Sequence, residues 1–148
     1  MPTGKLIAIL AKHVDDIKIT GEREAVLTIL KELEKVLGQL KIDWNSFTNC
    51  GVRQIQDPKT KAVTMDQEEY IAGIKLVIHD LVNKRGHSDE VCPTDLKEIY
   101  WSVLGAMAFA TITRPDIAVF VAALQRVIYV PLVIHCKRLK VSYHSILF

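Results

Sequence analysis

The sequence contains few cysteines, and their placement excludes a disulfide scaffold. Cys50, Cys92 and Cys136 are the three cysteines among 148 residues, an odd number at wide spacing with no Cys-x-x-Cys pair. Small secreted domains that depend on disulfides carry more cysteines, in closer pairs. The composition therefore predicts a protein of a reducing compartment, inside the cell in the cytoplasm or the nucleus.

The sequence also lacks a strong charge excess and a long apolar run. A net charge of +2 gives no bulk electrostatic argument for nucleic-acid binding. Residues 6–11 are too short for a signal peptide, and the apolar residues 118–134 are interrupted by Gln125, Arg126 and Pro131. We therefore expect no membrane partner. The 49% hydrophobic and 24% charged fractions are typical of a globular protein of one domain or two small lobes.

The first half of the chain predicts two β-hairpins separated by a helix. Residues 5–12 are a short apolar run and residues 17–20 alternate apolar with polar, so the aspartates between them lie at or near a hairpin tip. Residues 22–38 have apolar side chains at helical spacing. Residues 47–56 and 62–65 flank an Asp-Pro turn signal and predict the second hairpin.

The second half of the chain predicts a helical lobe. Apolar periodicity and proline positions predict helices at residues 66–84, 94–111, 115–129 and 132–148. The polar, turn-rich residues 84–93 are predicted to connect the first of these helices to the second. The fold class predicted for the whole chain is therefore α+β.

Two adjacent carboxylates, Asp15 and Asp16, have two interpretations. They are either a solvated turn or part of a metal site. Mg²⁺ prefers oxygen ligands and usually shares its coordination shell with phosphates, and carboxylates hold the ions in two-metal phosphoryl transfer. An Asp-Asp pair is common, so its spacing alone favours the turn.

The residues around this pair resemble a known family. The run His13-Val14-Asp15-Asp16-Ile17 is similar to the Tyr-Val-Asp-Asp hairpin of reverse transcriptases, specifically those of copia-type retrotransposon polyproteins. The similarity continues through Ile19-Thr20-Gly21 and the amphipathic helix that follows.

Further motifs follow in the order of the same family. Phe47, Cys50 and Gly51 resemble its strand after the helix. The family also has a segment with a hydrophobic residue, Gln, two variable residues and Tyr, and a later Thr-Arg-Pro-Asp-Ile run. The matching residues are the run 63–71, which contains Gln67 and Tyr70, then Gly105 followed by Thr113, Arg114, Pro115, Asp116 and Ile117, and finally Pro131 and His135. The resemblance thus covers nearly the whole chain.

The resemblance implies a fold and a set of roles. Residues 1–65 would be a partial polymerase palm that carries the catalytic-type hairpin, and residues 66–148 a thumb- or connection-like helical segment. Asp15 would be a direct Mg²⁺ ligand and Asp16 its acidic neighbour, both catalytic, and His13 would lie near the primer end. The partners implied are an RNA or DNA template–primer and, in the intact family enzyme, a deoxynucleoside triphosphate.

Two departures from the family pattern change what we expect of this chain. His13 replaces the usual tyrosine, and the 14 residues before Asp15 contain no carboxylate, whereas the family supplies another essential aspartate from an earlier strand. We therefore expect a reverse-transcriptase fragment that is inactive alone. The alternatives are a non-catalytic nucleic-acid-binding or interaction module, and the product of a decayed element without activity.

Other candidate residues each have a simple structural alternative. Lys137, Arg138 and Lys140 are candidate contacts to a nucleic-acid backbone, or a solvated helix face. Arg114 is expected to pair with Asp116 or to contact a phosphate. Residue 50 is interpreted as a small buried cysteine, since no positioned base is evident. The exposed edges of the first hairpin predict self-association.

Overall fold

A computed structural model describes residues 4–147, apart from the side chains of the last two. Its described part is a mixed α+β structure with two small antiparallel sheets and six α-helices. The predicted α+β class is confirmed. Residues 1–3 and residue 148 are outside the described residues. They are the start of the predicted palm, residues 1–65, and the end of the predicted last helix, residues 132–148.

The first sheet is the predicted hairpin. Strands β1 (Ala8–His13) and β2 (Asp16–Gly21) pair antiparallel, with His13 opposite Asp16. Helix α1 (Arg23–Leu37) follows and ends at Gly38, whose φ of 82° favours glycine. The half-buried Ile17 and Ile19 lie on the face of β2 that packs against α1, as their alternation with polar residues predicts.

The second sheet has three strands where the sequence predicted two. Strands β3 (Ser46–Asn49), β4 (Val52–Gln56) and β5 (Val63–Asp66) form an antiparallel meander. The prediction of one strand over residues 47–56 is wrong, because a turn at Cys50 and Gly51 divides it. Both turn residues have positive φ, 48° and 74°, which is the signature of a two-residue type I′ hairpin.

The helix predicted over residues 66–84 is the largest error. The structure has two short helices there, α2 (Glu68–Ala72) and α3 (Asp80–Asn83), with residues 75–79 non-helical between them. The Tyr143 hydroxyl donates to the Ile74 carbonyl at 2.9 Å, a carbonyl that a continuous helix would use for its own hydrogen bond. Ile78, in this non-helical stretch, is 74% exposed.

Three longer helices form the rest of the chain. They are α4 (Thr94–Ala110), α5 (Ala118–Gln125), which is preceded by a 3₁₀ turn at Pro115–Ile117, and α6 (Val133–Leu147). Helix α5 ends four residues before the predicted end at residue 129, and Pro131 precedes α6 as expected. No helix within residues 4–147 is both long enough and apolar enough to cross a membrane.

The hydrophobic core lies in the helical part. Its fully buried side chains include Leu96, Tyr100, Leu104, Met107, Val133 and Leu139. In contrast, Leu6, Ile7, Ile9 and Leu10 along the first hairpin remain 44–72% exposed. The hairpin is therefore held by its own strand pairing and by α1, while the stable packing is elsewhere.

Candidate functional site: the acidic hairpin tip

The two aspartates lie at the tip of the first hairpin, as predicted. Val14 and Asp15 form the two-residue loop between β1 and β2, and Asp16 is the first residue of β2. Both carboxylate-bearing residues are exposed. The tip thus presents two hard oxygen donors to solvent from a loop that strand pairing fixes on both sides.

The loop backbone is strained at Val14. Its φ is 54°, a conformation that a β-branched residue rarely adopts and that two-residue hairpin turns usually assign to glycine or asparagine. Such a position costs about 1–3 kcal/mol and tends to occur at functional sites. The strain is therefore next to the candidate ligand Asp15.

The β3–β4 turn approaches the hairpin tip from the second sheet. Asn49 Nδ2 donates to Asp16 Oδ2 at 3.4 Å, and Cys50 Sγ lies 3.6 Å from His13 Nδ1. Lys18, two residues along β2, bonds Gln54 and lies over the Phe47 ring. These neighbours are not predicted when residues 47–56 are interpreted as one strand. The Asn-Cys-Gly run was the sequence signal for the turn that brings them to the tip.

Residue Cys50 is exposed, so its interpretation as a small buried residue is wrong. Its nearest titratable neighbour among these contacts is His13, from a strand 37 positions away. Linear spacing gives no information about such a contact.

A cavity of about 260 Å³ lies beneath the tip, between β2, α1 and β3. Its apolar wall comes from one face of α1, with Leu30, Leu33 and Leu37, and from Trp44 and Phe47. Asp15 and Asp16 belong to its lining. The carboxylates therefore border a cavity with one apolar wall rather than standing alone on a convex surface.

The donor set at the tip is only partly suited to a metal. The carboxylate oxygens match the preference of Mg²⁺. However, residues 4–147 contain no group of three or more His, Cys, Asp or Glu side chains arranged to hold a metal ion. The remaining ligands would be water, phosphates or side chains of another polypeptide segment.

Two of the sequence motifs, 46 positions apart, are in contact through Gln67 and Thr113. Gln67, only 2% exposed, accepts a 2.9 Å hydrogen bond from the Thr113 hydroxyl. Gly51 in the β3–β4 turn packs against Tyr70 of α2, where an added Cβ would lie 3.3 Å from the ring. Tyr70 in turn stacks edge-to-face on Phe109. The motif residues thus connect the second sheet to α2 and α4.

Arg114 and Asp116 form a bidentate pair beside the 3₁₀ turn. The guanidinium donates to both carboxylate oxygens at 2.9 and 2.8 Å. This pairing lowers the pKa of Asp116 below its usual value. Of the two expectations for Arg114, the structure contains the pair with Asp116.

The three basic candidates on α6 lie in different environments. Lys137 Nζ donates to the carbonyls of Lys84 and Gly86 at 3.0 and 2.8 Å, and Lys140 Nζ donates to Asn83 Oδ1 at 2.8 Å. Arg138 is exposed. Lys137 therefore fastens the segment after α3 to α6, and Lys140 fastens the end of α3 to α6. The sequence did not reveal these contacts.

Comparisons with protein-family models, with curated proteins and with solved structures gave no match to this chain.

Proposed function

We propose that this chain is the C-terminal part of a copia-type retrotransposon reverse-transcriptase domain, with a partial palm at residues 1–65 and a thumb- or connection-like segment at residues 66–148. The observation that carries the proposal is the hairpin tip. Asp15 lies in a two-residue loop between paired strands, Asp16 follows it directly, and both are exposed.

Contacts among the motif residues support the same proposal. Gln67 bonds Thr113, and Gly51 packs against Tyr70. All four belong to runs that resemble the family. Runs that matched the family only by chance would not be expected to contact one another. The contacts between these runs therefore support the resemblance.

The proposed chemistry is nucleotidyl transfer, in which a primer 3′-hydroxyl attacks a nucleotide α-phosphate. Asp15 and Asp16 would hold Mg²⁺, which neutralises charge on the reacting phosphates. His13 would lie near the primer end. Since two carboxylates do not complete a two-metal site, the proposed role of this chain by itself is to bind metal and template–primer without polymerising.

The test is binding of an RNA–DNA template–primer, measured by fluorescence anisotropy over a salt series with and without Mg²⁺. We expect Mg²⁺ to strengthen binding several-fold, and this gain to disappear in Asp15→Asn and Asp16→Asn. Asp89→Asn, an exposed aspartate in the turn after α3, is the matched control and should retain the gain. An equal Mg²⁺ effect in all variants would contradict the assignment of the tip.

The same preparation tests the expected inactivity. In a primer-extension assay with Mg²⁺ or Mn²⁺, the 148-residue chain should incorporate no nucleotides above background. Robust incorporation that depends on metal and is lost in Asp15→Asn would contradict the incomplete-site proposal while supporting the polymerase relationship.

A second candidate function is an interaction module that self-associates through β1. The outer edge of β1 pairs with no strand among the described residues, and Ile9 within β1 and Ile7 just before it are 53% and 49% exposed. Sedimentation velocity should detect a larger species that Ile9→Lys converts to monomer. The control Ile112→Lys changes an isoleucine of equal exposure, 53%, and should not.

A further inference from the structure

Two buried thiols from distant parts of the chain meet in the helical core. Cys92, just before α4, and Cys136, in the first half of α6, have their sulfur atoms 3.3 Å apart although they are 44 positions apart in sequence. The contact is held by backbone hydrogen bonds, since the Cys92 N–H donates to the Pro131 carbonyl and the Val133 N–H to the Glu90 carbonyl, both at 2.9 Å.

The surroundings of the pair are apolar. Cys136 is fully buried and Cys92 is 6% exposed. Burial raises the pKa of both thiols, so at neutral pH they rest as two neutral groups joined by a weak S–H···S hydrogen bond. Tyr100, the largest fully buried side chain, uses its hydroxyl on the Leu124 carbonyl at 2.7 Å and so does not bond the sulfurs.

The pair does not have the composition of a metal site. Zinc sites use four ligands from cysteine, histidine or carboxylate groups. No cluster of three such side chains occurs in the part of the chain that the structure describes. Two adjacent thiols without further ligands have one obvious chemistry, which is oxidation to a disulfide.

We propose that Cys92 and Cys136 are a redox site that forms a reversible disulfide with a low-molecular-weight disulfide as oxidant. The Cys92 sulfur, as thiolate, attacks one sulfur of the oxidant and expels the other as a thiolate. The Cys136 thiolate then attacks the Cys92 sulfur and expels the second small thiolate. The two thiol protons end on the two expelled thiolates, so two protein thiols are oxidised and one small disulfide is reduced to two thiols.

The structure gives the order of attack and the consequence. Cys92 reacts first because it alone of the pair has any exposure. The new bond joins the segment before α4 to α6 and closes a loop that contains α4 and α5. A cross-link of this span constrains the unfolded chain, so the oxidised protein should be more stable than the reduced one.

Its location couples the bond to the segment after α3. Lys137, next to Cys136, fastens that segment through the carbonyls of Lys84 and Gly86. In a reducing compartment a disulfide of this kind is transient and reports oxidative conditions. Oxidation would thus lock the helical part while leaving the hairpin tip unchanged.

The test uses the full chain treated with excess oxidised glutathione, followed by alkylation in denaturant, proteolysis and mass spectrometry. We expect a linked peptide pair containing Cys92 and Cys136, while the exposed Cys50 carries glutathione. Oxidation in denaturant is the control and should mix all three possible pairings. Alkylated Cys92 and Cys136 after native treatment, or linkage of either to Cys50, would overturn the proposal.

A stability measurement tests whether the disulfide stabilises the helical part or is only a side reaction. The oxidised chain, in a Cys50→Ser background that removes the exposed thiol, should melt roughly 10 °C above the reduced chain, and dithiothreitol should reverse the shift. An unchanged or lower midpoint in the linked protein would contradict the lock. Neither readout requires the Cys92 or Cys136 variants, which remove core side chains.

Discussion

The Gln67 side chain accepts a 2.9 Å hydrogen bond from the Thr113 hydroxyl across the junction of the second sheet and the helices. Its carbonyl end is thereby satisfied, whereas its Nε2 amide has no hydrogen-bond partner among the described residues. The bond joins two stretches that are 46 positions apart. A buried amide satisfied at one end makes this junction sensitive to the loss of its one partner.

Replacing Thr113 by Val should therefore lower the free energy of unfolding by about 1–3 kcal/mol, because Gln67 is left buried and wholly unpaired. The double variant Gln67→Leu/Thr113→Val should recover most of that loss, since it removes both polar partners together. Urea denaturation measures both. Thr20→Val, at an exposed position in β2, is the control and should change little. Additive losses in the double variant would contradict the coupling.

Relief of strain at the hairpin tip should be measurable as well. With φ of 54°, Val14 should be stabilised by substitution with Gly or Asn, by about 1 kcal/mol of unfolding free energy. The control Val63→Gly, at an exposed strand valine in β5, should be destabilising because glycine weakens ordinary strands. A loss of stability in both glycine variants, seen by thermal denaturation, would show that Val14 is not strained.

Much of the fold follows from local pattern, and the largest error involves a contact between residues that are far apart in the sequence. The hairpin, α1 and α4 were predicted because each combines periodicity with clear boundary residues. Helix α2 ends at Gly73, and the carbonyl of the next residue, Ile74, accepts a hydrogen bond from the Tyr143 hydroxyl 69 positions away. Helix propensity alone does not reveal such a contact.

The site shows the same division. Asp15 and Asp16 were placed at a hairpin tip because aspartates between two short strands favour a turn. Asn49 and Cys50 were not predicted as their neighbours, because that approach depends on how the two sheets pack. The pattern of residues along one sequence carries no information about distances between two sheets.

The basic residues of α6 should differ in their effects on nucleic-acid binding. Arg138→Ala should weaken template–primer binding and lower the salt slope by about one, since it removes an exposed cation. Lys137→Ala should instead speed limited proteolysis within residues 84–93, because its Nζ fastens the Lys84 and Gly86 carbonyls. Lys75→Ala, an exposed lysine outside α6, serves as the control for both. A uniform loss of binding in all three would contradict this assignment.

Stability should fall on mild acidification because of His135. Burial, and then nearby Arg138, lower the pKa of His135 below its usual 6.5, and its Nδ1 accepts the Leu132 N–H at 2.9 Å only when unprotonated. The unfolded chain therefore binds the proton first as pH falls through about 6.5, and stability decreases below that pH. Denaturation midpoints between pH 7.5 and 5.5 should show less pH dependence in His135→Gln. His144→Gln, at an exposed histidine of the same helix, should behave like the unsubstituted chain.

The most direct test of the central claim is to locate bound Mn²⁺, a paramagnetic substitute for Mg²⁺, by NMR of the chain bound to an RNA–DNA template–primer. If Asp15 and Asp16 hold the metal together with phosphates, substoichiometric Mn²⁺ should broaden the amide signals of residues 13–17, more strongly with the hybrid than without it. The broadening should disappear in Asp15→Asn/Asp16→Asn and persist in Asp89→Asn. Broadening elsewhere, or broadening at the tip that neither the hybrid nor the two substitutions alter, would contradict the claim.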